Sequence, residues 1–92
     1  MAHPETVVDL VAVLRALSER MPTTPAELSK LEQESLALAL HLQKSQIVDS
    51  VPEIVWHFLS DPDIRFKSPE YAQVQVSALA SALVTMELQG AV

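Results

Sequence analysis

Six prolines divide this 92-residue chain into apolar segments, and they stand where helices can begin. Proline fits the first turn of a helix but breaks a helix interior, because it lacks the backbone N–H and clashes with the preceding turn. The apolar residues between the prolines are mainly Leu, Val and Ala, and the chain contains a single Gly. Tight β-turns depend on Gly at positive φ, so this composition disfavours hairpins. The sequence therefore predicts an all-α fold.

Two segments carry apolar seams that are typical of packed helices. The first predicted helix runs from about residue 4 to residue 20, and the last runs from Pro69 to about residue 89 after a cap at Ser68. In both, apolar residues recur at alternating spacings of three and four, which keeps them on one face. The first seam comprises Val7, Leu10, Leu14, Leu17 and Met21, and the second comprises Ala72, Val76, Leu79, Leu83 and Met86.

Between these helices, two segments match the capping box, in which a Ser or Thr caps a helix and a later Glu bonds back to the cap amide. Thr24 and Glu27 predict a second helix from residue 25 to about residue 49. Ser50 and Glu53 predict a short third helix through residue 59, followed by a turn at 60–63 and a loop at 64–66. The prediction is a small antiparallel bundle of three long helices and one short helix, forming a single domain over residues 1–92.

The second predicted helix is apolar around much of its circumference. Such a helix must be covered on every side, and a chain of this length has little material to cover it with. The last helix adds small Ser and Ala residues at 77, 78, 81 and 82, which would let another helix approach closely. Either the second helix is the central helix of the bundle, or one of its faces meets a second copy or a partner. Because the apolar surface exceeds what a bundle of this size can cover, we expect a dimer or a partner-dependent fold. One face carries Leu28, Leu31, Leu38 and Leu42, and another carries Leu36, Leu40, Ile47 and Val51.

Charge and cysteine content exclude several classes of function. The chain has no Cys, which rules out disulfides and thiolate chemistry. Its net charge of −6 and the scatter of its six Lys and Arg residues disfavour binding to nucleic acid, which needs clustered cations. The sequence shows neither a signal peptide nor an uninterrupted apolar stretch long enough to span a bilayer. We expect a soluble cytoplasmic protein that binds neither nucleic acid nor membrane.

Few residues could support catalysis. A metal site would have to use His3, His41 and His57, and Glu53 and Asp61 flank His57 at helical spacings of four. The predicted turn at 60–63 separates Asp61 from that helix, so a solvated His at a capped helix end explains the pattern better. The chain also lacks a Gly-rich phosphate loop, a nucleophile elbow and an HExxH motif. We therefore expect no enzymatic activity and no cofactor.

Two other functions stay open at this stage. Asp49-Ser50 at a predicted helix start resembles the attachment site of acyl carrier proteins, which carry phosphopantetheine on the Ser of an Asp-Ser-Leu motif. Val51 stands here in place of that Leu, and a helix cap at Ser50 accounts for the same residues. The second alternative is a Rop-like helical dimer that binds RNA, which the acidic net charge disfavours.

Several short segments, spread from about residue 10 to residue 90, carry a resemblance to a known family. They are Met21-Pro22-Thr23-Thr24, Val51-Pro52-Glu53, Ile64-Arg65-Phe66, Gln75-Val76-Ser77-Ala78-Leu79 and, after an aliphatic helix, Gly90. In these segments the chain resembles the TraM-type antiactivators of bacterial quorum sensing, including the QseM-like proteins of mobile genetic elements. The second predicted helix departs from TraM, since it is basic there and rich in Leu and Ala here.

The resemblance implies a partner and a mechanism. Proteins of this type bind LuxR-type transcriptional activators in a stable complex and prevent DNA binding or promoter activation, and they can be dimers. Sequestration by helix packing would draw its binding energy mainly from apolar burial, at about 25 cal/mol per Å². We expect the contact to use outward-facing parts of the second and last helices, with a further anchor from the short helix. The candidate partner-binding residues are Leu38, Leu42, Trp56, Val84 and Leu88.

Overall fold

The computed structural model describes residues 4–90 of the chain. Its helices are α1 (Val7–Ser18), α2 (Pro25–Gln43), α3 (Glu53–Ser60), α4 (Pro62–Lys67) and α5 (Pro69–Gly90), with a 3-10 turn at Val48–Ser50. Within residues 4–90 there is no β-strand, so the predicted all-α bundle is confirmed. The three long helices are α1, α2 and α5, and the predicted short helix is followed by a second short one.

The helix α1 runs antiparallel to both α5 and α2. At one end of the bundle, Ser18 at the end of α1 lines the same groove as Pro69 and Ala72 at the start of α5. At the other end, His41 near the end of α2 bonds through Nε2 to the carbonyl oxygen of Pro4, just before α1, at 2.7 Å. The short helices α3 and α4 each pack against both α2 and α5, so they complete the core between the long helices.

Hydroxyl side chains cap α2 and α5 at the residues that the sequence indicates. The Thr24 hydroxyl accepts a hydrogen bond from the Glu27 amide at 3.2 Å, and the Ser68 hydroxyl accepts one from the Tyr71 amide at 3.3 Å. Both capping residues have extended backbones and directly precede a proline. The Glu27 carboxylate reaches back one residue further than expected, to the amide and the hydroxyl of Thr23 at 2.7 and 2.9 Å. These bonds satisfy N–H groups that have no partner within the helix.

The capping box predicted at Ser50 is wrong. The helix α3 begins at Glu53, and no side chain caps it. The reason is Pro52, because a residue that precedes proline is pushed out of the helical region. Val51 is accordingly extended, with φ −89° and ψ 113°, so a helix cannot start directly after Ser50. Ser50 instead ends the 3-10 turn, where its amide donates to the carbonyl oxygen of Ile47 at 2.9 Å.

The predicted loop at 64–66 is also wrong, since these residues belong to α4, which starts with Pro62 in its first turn. Arg65 folds back from α4 onto α3. Its guanidinium lies 3.9 Å from the centroid of the Phe58 ring and donates to the Phe58 carbonyl oxygen at 2.6 Å. That carbonyl lies in the last turn of α3, where helix carbonyls lack a partner of their own. The cation–π contact and the hydrogen bond therefore hold α4 against α3.

The helix α2 ends at Gln43, earlier than the predicted end near residue 49. The chain turns just afterwards, where the Ser45 hydroxyl accepts a hydrogen bond from the Ile47 amide at 3.2 Å. Such local bonds from Ser to nearby amides compete with helix continuation. The apolar repeat thus continues past the last residue of α2, so the repeat alone does not locate the end of the helix.

The core confirms most of both predicted seams. The exceptions are Met21, which lies past the end of α1 and is exposed, and Val7 and Val76, which are only partly buried. Gln75 is buried beside Val76 and takes part in the hydrogen bonds described below. The buried apolar residues of the core cluster are Leu10, Val11, Leu14, Leu17, Leu31, Leu38, Leu42, Val51, Val55, Phe58, Leu59, Leu79, Leu83 and Met86.

Candidate protein-binding surface

The outward side of α5 is uncharged along almost its whole length. The helix has no charged side chain between Glu70 and Glu87. Its largest outward side chains, Val74, Val84 and Leu88, are 69%, 52% and 68% exposed. Smaller side chains lie exposed between them, and the 3.6-residue repeat places the whole set along one side of the helix. This set, called the α5 face below, comprises Val74, Ser77, Ala78, Ser81, Val84, Thr85 and Leu88.

The α5 face is opposite the side of α5 that packs on the core. The core side includes Ala72, Leu79, Leu83 and Met86, all of them buried. Residues of the α5 face are about half a turn of helix away from these positions. Packing within the described part of the chain therefore leaves the α5 face open to solvent.

Of the predicted partner-binding residues, Val84 and Leu88 lie on the α5 face as expected. Leu38 and Leu42 do not face outward, because they are 1% and 0% exposed. Together with Leu31 they form the side of α2 that packs into the core. The prediction that Leu38 and Leu42 are free to contact a partner is therefore wrong for this fold.

Trp56 is neither fully buried, as Leu38 and Leu42 are, nor exposed, as Val84 and Leu88 are. Its side chain is partly buried and packs against the core cluster, next to the fully buried Val55. The backbone carbonyl of Trp56 also accepts a hydrogen bond from the Ser60 hydroxyl at 2.8 Å, which secures the end of α3. Trp56 thus contributes to the core and offers only part of its surface to a partner.

A second apolar patch on α2 was not among the predicted site residues. Leu36 and Leu40, one helical turn apart, are 59% and 49% exposed. The charged residues Glu32 and Lys44 stand one turn before and one turn after this pair, and both are exposed. The sequence places Leu36 and Leu40 on a face of their own, but spacing alone does not say which of the two leucine faces of α2 is buried.

Val74 was also missed by sequence reasoning. It stands close to the start of α5, whereas Val84 and Leu88 stand near its end. The signal that could have found it is the absence of charge between Glu70 and Glu87, which extends the candidate surface across the whole helix.

An ion pair between two helices borders the α5 face. Arg15 of α1 donates through Nη1 to Oε1 of Glu87 in α5. The hydrogen bond to Glu87 raises the pKa of Arg15 above its ordinary value. Both side chains are exposed, so the pair contributes little to stability. Its effect on the surface is to neutralise the carboxylate that stands next to Leu88.

A polar network links α4 to the buried side of α5. Arg65 donates to the side-chain oxygen of Gln75, Gln75 donates through Nε2 to the Tyr71 hydroxyl at 3.2 Å, and that hydroxyl donates to Asp61 at 3.2 Å. Burial lowers the pKa of Arg65, and the nearby Asp61 opposes that shift. Desolvation raises the pKa of Tyr71, and the bond to Asp61 adds to the rise. These groups bond to one another, so the network serves to fix α4 on α5.

The residues considered for a metal site do not form a cluster of three or more ligands in the described part of the chain. His57 Nε2 lies 3.4 Å from Oε1 of Glu53, and both side chains are exposed on α3. His41 bonds to the Pro4 carbonyl just before α1, and His3 lies outside the described residues. Over residues 4–90, no group of three or more His, Asp or Glu residues is arranged to hold a metal ion.

The geometry favours neither of the two alternative functions. Ser50 is exposed, but it lies in the 3-10 turn before Val51 and Pro52 rather than at the start of a helix, where the carrier-protein resemblance would require it. RNA binding would need a basic surface. The arginines do not provide one, because Arg20 is paired with Glu34 and Arg15 with Glu87. Arg65 bonds to Phe58 and Gln75.

Comparison with known proteins identifies no relative. No protein-family model matches the chain, and neither a curated protein nor a solved structure matches it significantly. Among the helices within residues 4–90, none has the length and apolar content that crossing a membrane requires.

Proposed function

We propose that this protein binds another protein by helix packing on the α5 face, and that the partner is a LuxR-type transcriptional activator that it holds inactive. The observation that carries the proposal is the α5 face, where three large aliphatic side chains are exposed on a helix that has no charge between Glu70 and Glu87. A surface helix ordinarily turns charged residues to water. An outward face without them has the composition of an interface core, from which charged residues are depleted.

The shape of the α5 face suits a helical partner. Ser77, Ser81 and Thr85 follow one another at intervals of four residues, which leaves a shallow line along the helix. A partner helix can approach closely there and can contact Val74 and Leu88 at the two ends. Burial of those side chains would supply most of the binding energy, at about 25 cal/mol per Å² of apolar surface.

The choice of a LuxR-type activator rests on the resemblance to the TraM-type antiactivators. One of the matching segments, Gln75 to Leu79, lies in α5 and contributes Ser77 and Ala78 to the α5 face. The net charge of −6 adds a kinetic reason, since it would steer the chain toward the basic DNA-contacting surface of an activator. Sequestration of the activator needs neither a cofactor nor a catalytic residue.

The direct test mixes the purified chain with each LuxR-type activator of its host and with that activator's promoter DNA. Calorimetry measures binding of the two proteins, and fluorescence anisotropy of labelled DNA measures release of the promoter. We expect a complex and loss of DNA binding. Leu88→Ala should weaken the complex by about 1–3 kcal/mol, which is about 5- to 150-fold in Kd. Leu40→Ala is the matched control, because Leu40 is an equally large exposed side chain on α2.

Two results would contradict the proposal. If every such activator keeps its DNA in the presence of excess protein, the partner is wrong. If an activator binds but Leu40→Ala weakens the complex while Leu88→Ala does not, the binding surface is the patch on α2. Circular dichroism of each variant shows whether the fold is retained.

A further inference from the structure

A small cavity lies at the end of the bundle where α1, α2, α4 and α5 converge with the connection between α1 and α2. Leu17, Leu31 and Val76 supply apolar walls from the three long helices, and Pro62 and Phe66 line it from α4. Its volume is about 90 Å³. A cavity of about 150 Å³ holds one benzene molecule, so this one has room for an apolar body of about three or four carbons. No residue of the α5 face lines it.

The Met21 side chain provides the way in. It is 66% exposed, and it lines the cavity as well as two shallow grooves on the surface beside it. Met is unbranched and has several rotatable bonds, so its side chain can move aside while the helices stay in place. A small molecule can therefore reach the cavity from solvent without unfolding of the bundle.

The polar lining of the cavity is positively charged, although the chain as a whole is acidic. The chain has twelve Asp and Glu residues against six Lys and Arg. Among the described residues that line the cavity, however, the polar ones are Ser18, Arg20 and Arg65, and none is a carboxylate. Glu34, outside the cavity, neutralises Arg20. Within the described part of the chain, no carboxylate forms an ion pair with Arg65.

Arg65 also retains hydrogen-bond donors. Its bonds to the Phe58 carbonyl and to the Gln75 side chain both come from Nη1. The N–H groups on Nε and Nη2 form the planar pair that matches the two oxygens of a carboxylate, and over residues 4–90 neither has an acceptor. Burial lowers the pKa of Arg65, so the charge is incompletely compensated by its surroundings. A bound anion would supply the missing compensation.

We propose that this cavity binds a small aliphatic carboxylate, with its carbon chain against the apolar walls and its carboxylate on the Arg65 guanidinium. An inorganic anion would leave most of its oxygens without hydrogen-bond partners beside those walls. A neutral molecule of the same shape would leave the Arg65 charge as it is. The ligand lies on the core side of α5, so this inference goes beyond the proposed function and requires no partner protein.

The experiment is a titration of the isotope-labelled full chain with sodium isovalerate, followed by amide NMR spectra. Isovalerate combines a branched aliphatic body with one carboxylate. We expect saturable shifts at cavity residues such as Leu31 and Val76, with a Kd of about 0.1–1 mM for a ligand of this size. Isoamyl alcohol has the same body without the charge, and acetate has the charge without the body. Each should bind at least about tenfold more weakly than isovalerate.

Two variants test the two parts of the site. Arg65→Lys keeps the charge but removes the planar pair of donors, and it should raise the Kd for isovalerate by about tenfold or more. Arg15→Lys is its matched control, because Arg15 pairs with Glu87 on the surface, away from the cavity. Ala72→Leu fills the cavity and should abolish the saturable shifts. Ala80→Leu makes the same change at an exposed position of α5 and should leave the Kd unchanged.

Several results would overturn the inference. They are the absence of saturable shifts with isovalerate, shifts confined to residues outside the cavity, equal binding of isoamyl alcohol or acetate, and a folded Arg65→Lys variant that binds isovalerate as the wild type does. Circular dichroism shows whether each variant retains its helices. If Arg65→Lys does not, the comparison of the three ligands on the wild-type chain still decides. Since no activator is present, failure of the proposed function would not alter any of these results.

Discussion

The two longest helices, α2 and α5, both bury one side and expose aliphatic side chains on the other, but they place polar residues in opposite ways. On α2 the exposed pair Leu36 and Leu40 is bounded by charged residues, and the buried Ser35 hydroxyl has no hydrogen-bond partner. On α5 the exposed face is uncharged, and the buried Gln75 bonds to two other side chains. On the proposal above, the property that distinguishes the binding surface is a continuous stretch without charge rather than the number of exposed leucines.

The largest expected effect is a difference in the free energy of unfolding between variants on the buried side and variants on the exposed side of α2. Leu42→Ala should lower the free energy of unfolding by about 2–5 kcal/mol, because it removes a fully buried side chain and leaves a cavity. Leu40→Ala, two residues earlier, should change it by about 0.5 kcal/mol or less, because that side chain is half exposed. Urea unfolding followed by circular dichroism measures both. Equal losses would mean that α2 is covered on both sides in solution.

That pair of leucines also shows what the sequence could and could not predict. Spacing indicates two leucine faces on α2, but the choice of the buried one depends on how α3 packs against α2 and brings Phe58 and Leu59 into the core. Those contacts are distant in sequence, so periodicity within α2 contains no information about them. As a result, Leu38 and Leu42 were assigned to the wrong surface, whereas the burial of the α1 and α5 seams was predicted well.

The helix boundaries depend on interactions between residues that are close together in the sequence. Where Ser or Thr directly precedes proline, as at Thr24 and Ser68, the cap forms as predicted, because the extended backbone that proline imposes is also the one that a cap needs. At Ser50 one residue intervenes, and the same effect of proline abolishes the cap. The helix α4 could not be predicted this way, since Arg65 must find Phe58 on the preceding helix.

The second-largest effect concerns the buried polar residue of α5. Gln75→Leu should lower the free energy of unfolding by about 1–3 kcal/mol, although Leu is more apolar, because Arg65 and the Tyr71 hydroxyl each lose a hydrogen-bond partner. Gln73→Leu, an exposed position on the same helix, is the control for the altered composition. Chemical denaturation of the two variants measures the difference. A Gln75→Leu variant as stable as the wild type would show that the network contributes nothing to the attachment of α4.

The buried polar residue of α2 should behave in the opposite way. Ser35→Ala should raise the free energy of unfolding by about 1 kcal/mol, since the Ser35 hydroxyl is buried without a partner and Ala also favours the helix. Ser29→Ala, at an exposed position of α2, measures the helix-propensity part alone. Thermal unfolding of both variants under the same conditions gives the comparison. A loss of stability in Ser35→Ala would reveal a hydrogen bond to this hydroxyl in solution.

The smallest effect is a dependence of stability on pH at the start of α2. The hydrogen bonds from the Thr23 amide and hydroxyl lower the pKa of Glu27 below its ordinary value of 4.5. A carboxyl group whose pKa is lower in the folded state stabilises the fold above its unfolded pKa, and that stabilisation is lost as the pH falls through 4.5 toward the folded value. Glu27→Gln should therefore lower the Tm at pH 7, and this difference in Tm should become smaller as the pH falls below 4.5. Glu32→Gln, on the outward side of the same helix, controls for the loss of one negative charge. A Tm difference between Glu27→Gln and the wild type that persists unchanged at pH 3 would mean that Glu27 stabilises the helix through contacts that do not require its charge.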